Sequence, residues 1–196
     1  MNNKSFTYQS ITELSKLLKN KIISPVELTN HFLSKLENEG SDYNAVAHIN
    51  RSSAITQAKE AEASIMKKKY LGRLHGIPFA AKDLLSTNDG SPTSWGAKPF
   101  VENVYNVEST VISNLKNSGA ILCAKTSMVE FAGGMGYQQP DASAFGPGIN
   151  PWNKSHWSGG SSSGSGSAVS AGLIPFAIGS ETWGSILSPA ANCGVT

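Results

Sequence analysis

"GIPFAAKD", Gly76 to Asp83, and "STVISNLKNSGAILCAKT", Ser109 to Thr126, decide the fold between them. The first is a short apolar run opened by glycine and closed by charge, the pattern of a buried strand. Turn-rich sequence, "STNDGSPTSWG", follows it. The second reads as a helix with glycine at its end and then a second buried strand, "AILCAKT". Strand, crossover helix and strand in one continuous stretch imply a parallel βαβ unit, so the fold class is α/β. Further on, "AVSAGLIPFAIGSE" gives a small-residue helix and a third apolar strand.

Working towards the N-terminus, the first quarter reads as helix. "SITE", Ser10 to Glu13, is a capping-box pattern followed by Leu14, Leu17 and Leu18 at helical spacing. Ser24 precedes Pro25 at a first helical position, with Glu27 three residues on and Leu28, Phe32, Leu33 and Leu36 along one face. A third helix is predicted across Ala54 to Lys68. A chain of 196 residues can bury one substantial core, so we expect one domain, with a helical region over 1–70 and a sheet core over 71–196.

Composition excludes several function classes. Sixteen basic and fourteen acidic side chains give a net charge of +2 without a basic block, which argues against nucleic acid as a direct partner. The start, "MNNKSFTYQS", has no apolar run of signal-peptide length, and no stretch reaches the roughly 18 apolar residues of a membrane span. The expectation is a cytoplasmic protein without membrane association. Cys123 and Cys193 lack C-x-x-C spacing, and His31, His48, His75 and His156 are scattered, so buried free thiols and no metal or cofactor are expected.

The stretch "SGGSSSGSGS", Ser158 to Ser167, has the composition of a flexible linker. A linker joins units that could stand apart, whereas this run lies between "NPWNKSHW" and a helix–strand segment too short to form a domain. It must be packed, and small residues before a helix let a ligand approach the backbone. A phosphate-binding loop is excluded because no lysine follows Gly164 or Gly166. Gly160, Ser162 and Gly164 match the nucleophile elbow G-x-S-x-G, but the histidine base of that triad must come later in the chain, and none follows His156. A serine nucleophile here needs another base, and a lysine can serve when burial holds it neutral. Lys82, ending the strand "GIPFAAK", is such a candidate.

Taken together, "GIPFAAKD", "SGGSSSGSGS" and "GSETWGSILSPAANCG" resemble the amidase signature family, and "LHGIP", "AKTSMVEFA" and "INPWN" fall in the family's order. The resemblance covers nearly the whole chain. It implies a mixed, mostly parallel sheet flanked by helices and a Ser–cis-Ser–Lys triad. The lysine that follows "GIP" is Lys82, the cis-serine after "GG" is Ser161, and the nucleophile before "I-x-x-P-A" is Ser185. It further implies backbone N–H groups of Thr182, Trp183, Gly184 and Ser185 as the oxyanion hole, donors worth about 3–4 kcal/mol apiece in other enzymes. Gly159, Gly160 and Ser162 support the loop. Ser162, Ser163, Ser165 and Ser167 are read as capping and packing residues, and Glu130 as a cap.

The implied function is hydrolysis of a carboxylic amide C–N bond through an acyl-serine, on a small-molecule amide, without cofactor, in a monomer or homodimer. Two positions depart from the commonest pattern: Trp183 stands where a glycine is usual, and Leu187 where an arginine is often found two residues after the nucleophile. The missing cation points away from a charged substrate, towards general amidases. The alternative within the family is the A subunit of a glutamine-dependent tRNA amidotransferase. Because relatives are about twice as long or more, the chain is expected to be incomplete at its C-terminus, and an inactive remnant acting as a binding module is the alternative of another class.

Overall fold

Serine caps start the first two helices, as their sequences require. The computed structural model describes residues 6–133 and 139–196. The first five residues of "MNNKSFTYQS" lie outside them. Helix α1 runs Ile11–Lys19, and Ser10 completes the capping box: its Oγ accepts from Glu13 N at 3.2 Å while its own N–H donates to Glu13 Oε2 at 2.8 Å. Helix α2, Pro25–Glu39, begins with proline at its first turn, and Ser24 Oγ accepts from Glu27 N at 3.0 Å. Strand β1, Val46–Ile49, and helix α3, Arg51–Met66, follow.

The predicted βαβ unit is β2, Pro78–Lys82, α4, Thr110–Asn117, and β3, Ile121–Thr126. Helix α5 is Ser163–Ser170, β4 is Ala177–Ile178 and α6 is Leu187–Cys193. The strands form one sheet in the order β1-β3-β2-β4. β2 is parallel to both β3 and β4, and β1 is antiparallel to β3, so the sheet is mixed and mostly parallel, as expected.

The core lies on both faces of this sheet. On one side Leu14, Leu18, Leu28, Phe32, Leu33 and Leu36 pack with Ala54 and Ala58 against Ile77, Ala80, Ile121 and Cys123. On the other, Phe79, Ala81 and Leu122 meet Ile112 of α4. Alternate residues of β2 therefore serve opposite layers, which is the pleat acting on a strand buried on both faces. Each such large side chain contributes roughly 1.5–3 kcal/mol by leaving water. Among the described residues, no helix is long and apolar enough to cross a membrane.

Three expectations are corrected. β1 stands within the first 70 residues, where only helix was predicted; four half-buried residues carry too little pattern to announce a strand. The small-residue helix begins inside the Gly/Ser run, at Ser163, and continues past it to Ser170. All its residues but Val169 are buried, and their small size lets the backbone pack closely. The third apolar strand is only two residues long, paired to β2 alone, with Pro175 and Gly179 close on either side.

Candidate active site

β2 delivers Lys82 at its last position, pointing to the α5 side of the sheet. Its side chain is fully buried, and its Nζ donates to Ser161 Oγ at 2.7 Å and to Ser180 Oγ at 2.8 Å. Burial brings the Lys82 ammonium down to about 8 from the ordinary lysine value, and the Glu181 charge partly opposes that shift. No carboxylate makes a hydrogen bond to it among the described residues.

Ser161 lies in the loop before α5, and the Gly160–Ser161 peptide bond is cis. Val129 N–H holds the Ser161 carbonyl at 3.1 Å. Gly159 is needed twice over. Its φ is +90°, and a Cβ there would come within 2.8 Å of both Asn192 Nδ2 and Ser188 Oγ. A Cβ on Gly160 would meet the Trp157 ring at 2.7 Å. The loop thus runs wedged between α6 and the Trp157 indole.

Ser185 is half-buried at the turn before α6 and is tied to this loop through its backbone, with Ser162 N–H donating to Ser185 O at 3.1 Å. The structure therefore brings together the loop carrying Ser161, the end of β2 carrying Lys82, and the turn carrying Ser185. Ser162 precedes α5 but caps nothing with its side chain; its Oγ instead accepts from Ser180 N at 3.4 Å. Ser165 Oγ meets Thr126 Oγ1 at 2.8 Å and Ser167 Oγ donates to Ile149 O at 2.8 Å, the packing part expected of them. Ser163 is buried and its carbonyl accepts from Ser158 Oγ at 3.1 Å. Glu130 opens a 3-10 turn, again without a side-chain cap.

The turn itself differs from expectation. The Glu181 carboxylate accepts four successive backbone N–H groups: Gly184 and Ser185 on Oε1, and Ile186 and Leu187 on Oε2. These bonds, foremost those from Ile186 and Leu187, hold its carboxyl below the usual carboxylate range. Two of the four expected oxyanion donors, Gly184 and Ser185, are thus already engaged. Left-handed backbone falls on Gly184, at φ +91°, and not on Trp183, so the tryptophan does not distort the turn. Trp183 and Leu187 are 83% and 69% exposed. Glu181→Ala removes the shared acceptor. We expect amide hydrogen exchange at Gly184 to Leu187 to speed up at least tenfold while β2 and β3 stay protected; unchanged protection would show that the carboxylate does not order the turn.

Sequence reasoning missed Ser180, Glu181 and a second fully buried lysine. Lys125 of β3 forms an ion pair with Asp83 Oδ1 at 3.1 Å and donates to Thr93 Oγ1 at 2.9 Å. The signal was present in the likeness of "AAKD" to "CAKT", two apolar runs each closed by lysine. Cys123 and Cys193 are buried free thiols, as expected, and burial raises both, Cys193 to about 11. No group of metal-ligating side chains occurs among the described residues.

A buried lysine joined to a loop serine, with a second serine fastened to the same loop, is the arrangement sought in a serine–lysine hydrolase on an α/β sheet. The chain belongs to the amidase family, whose model, described as Amidase, matches residues 27–196. Among curated proteins it is 43% identical over 188 residues to the A subunit of the Glutamyl-tRNA(Gln) amidotransferase of Coxiella burnetii, covering 96% of this chain and 38% of that protein. The corresponding protein of Nitrosococcus oceani is 40% identical over 189 residues, again with 96% and 38% covered. Among solved structures it resembles the peptide amidase of Stenotrophomonas maltophilia, with a TM-score of 0.86 at 30% identity over 95% of this chain and 39% of that one. A bacterial aryl acylamidase of the amidase signature family gives 0.84 at 28%, over 94% and 38%. The chain thus spans about 38% of the length of the curated relatives it matches.

Proposed function

We propose that the protein is an amide C–N hydrolase working through an acyl-serine, with Ser185 as nucleophile, Ser161 as relay and Lys82 as base. One observation carries this reading: the hydrogen bond of 2.7 Å between the buried Lys82 Nζ and Ser161 Oγ. Neutral Lys82 takes the Ser161 proton as Ser161 takes the proton of Ser185, and the Ser185 Oγ–carbon bond forms. Collapse of the oxyanion breaks the C–N bond, the leaving amine receives the relayed proton, and water then hydrolyses the acyl ester. Thr182 and Trp183 N–H groups, joined by Gly184 and Ser185 once Glu181 shares or yields them, are the donors for that oxyanion. We read the chain as the N-terminal portion of one amidase-signature domain.

Fluorophosphonate labelling tests this without knowledge of the substrate: Ser185 Oγ displaces fluoride from phosphorus as Lys82 accepts the proton. We expect the added mass on the peptide containing Ser185; label confined to other residues would refute the assignment. The base must be neutral, so the rate should rise with pH through about 8 and level off above it, with pH 7 at roughly a tenth of the plateau. A rate flat between pH 6 and 9 would remove Lys82 from the role.

The 43% identity to an amidotransferase A subunit favours a second reading, in which the same chemistry releases ammonia from glutamine. Leu187, in place of the expected arginine, supports an uncharged amide instead. Comparing hydrolysis of glutamine with that of neutral amides decides between them: preference for glutamine selects the amidotransferase reading.

A further inference from the structure

The end of β2 presents two consecutive charged residues to opposite faces of the sheet, and both are buried. Lys82 goes to the α5 side and meets serine hydroxyls. Asp83 goes to the other side, where Lys125 Nζ lies 3.1 Å from its Oδ1 and Ser94 N–H donates to its Oδ2 at 3.0 Å, joined by the Ser94 hydroxyl. Side-chain exposure of Lys125 and Asp83 is 0% and 2%. The register explains the pairing: Ala81 faces Lys125 and Lys82 faces Thr126, so the two lysines project to opposite sides.

We propose that Lys125 is a positioning residue for the hydrolysis: by binding the Asp83 carboxylate on the far face of the sheet, it leaves Lys82 with hydroxyl partners alone and free to act as base. The inference rests on the reading of Lys82 as base. A buried carboxylate one residue from Lys82 would, if uncompensated, favour the charged ammonium and remove the base from use. Lys125 supplies the compensation. Asp83 in turn anchors the catalytic end of the strand, since Asp83 N–H bonds Thr126 O at 3.0 Å and Trp95 N–H bonds Asp83 O at 3.2 Å. Other charges face this pair. His48 of β1 and Asp89 lie on the Lys125 side; burial lowers His48, and at Asp89 burial is outweighed by hydrogen bonds taken together, the Ser91 N–H to Oδ1 at 3.2 Å among them, which hold the carboxyl at about 2. On the Lys82 side the facing charge is Glu181.

The test is the pH dependence of Ser185 labelling by fluorophosphonate in the wild type, Lys125→Met, Asp83→Asn/Lys125→Met and Lys82→Ala. Lys125→Met should move the acid limb up by about one pH unit or more and slow labelling at pH 7 about tenfold, because an unpaired charge at such range is felt strongly in the interior. The double variant, which removes both charges, should return the limb to within about half a unit of wild type. A merely structural pair would lower the thermal midpoint in both variants and leave the limb of the folded fraction unmoved, which overturns the inference. So does a limb that stays displaced in the double variant. Lys82→Ala separates the two readings: loss of label there with an unmoved limb in Lys125→Met sinks only the role of Lys125. Label unchanged in Lys82→Ala, or absent in wild type, sinks both.

Discussion

Lys82→Met is expected to slow fluorophosphonate labelling of Ser185 about a thousandfold without lowering the thermal midpoint. Removing a general base costs on the order of 10²–10⁴ in rate, and the relay through Ser161 has nowhere else to send its proton. Ser180 Oγ, the other partner of Lys82, is a hydroxyl and cannot substitute as a base near neutral pH. Methionine keeps the length and volume of the lysine stem, so β2 and its neighbours stay packed. It also removes an amine whose burial disfavours its charge, so stability should hold or rise. The contrast between the two measurements is the test: labelling retained within tenfold would end the case for Lys82. A rate and midpoint falling together would mean that the lysine serves the fold.

Gly164→Ala should destabilise the protein by about 2–3 kcal/mol and lower the thermal midpoint by roughly 5–10 °C. In an ordinary helix the same change is favourable by about 1 kcal/mol, because alanine loses less entropy than glycine. Here the sign reverses. A Cβ on Gly164 would meet Ser127 Oγ at 2.5 Å and Ser127 N at 2.6 Å, and would press on the carbonyl oxygen of Ala45. Two of these three atoms are backbone atoms, and Ser127, just after β3, is tied to α5 by Gly164 N–H to Ser127 O at 3.0 Å and to the segment before β1 by Ser127 N–H to Ala45 O at 3.0 Å. Neither side can retreat without breaking those bonds. A midpoint equal to or above wild type in thermal unfolding would show that α5 has slack.

The sequence was most legible where local chemistry and burial agree. The capping serines Ser10 and Ser24, the apolar runs of β2 and β3, and Gly119 at the close of α4 all describe themselves through neighbours within a few residues. Lys82 could be singled out because a lysine closing an apolar run is out of place, and family resemblance then brought Ser161 and Ser185 to it. What stayed hidden depended on distant partners. β1 exists because β3 offers it an edge, and Val46 to Ile49 carry only half-buried positions. Glu181 has no local pattern to mark it, since its carboxylate is defined by the four N–H groups that the folded turn brings to it. Lys125 could not be paired with Asp83, 42 positions earlier, without the register of the parallel strands.

Helix α5 reverses what its letters suggest about tolerance to change. Its serines and glycines are the residues most often chosen where a designer wants freedom, yet seven of its eight positions are buried. If residues 158–167 were randomised and survivors sequenced, the recovered variety should be narrower than from the exposed face of α3, although α3 carries the richer chemistry. Plain composition here records crowding. The stretch that looks most disposable is the one where inheritance has least room to wander.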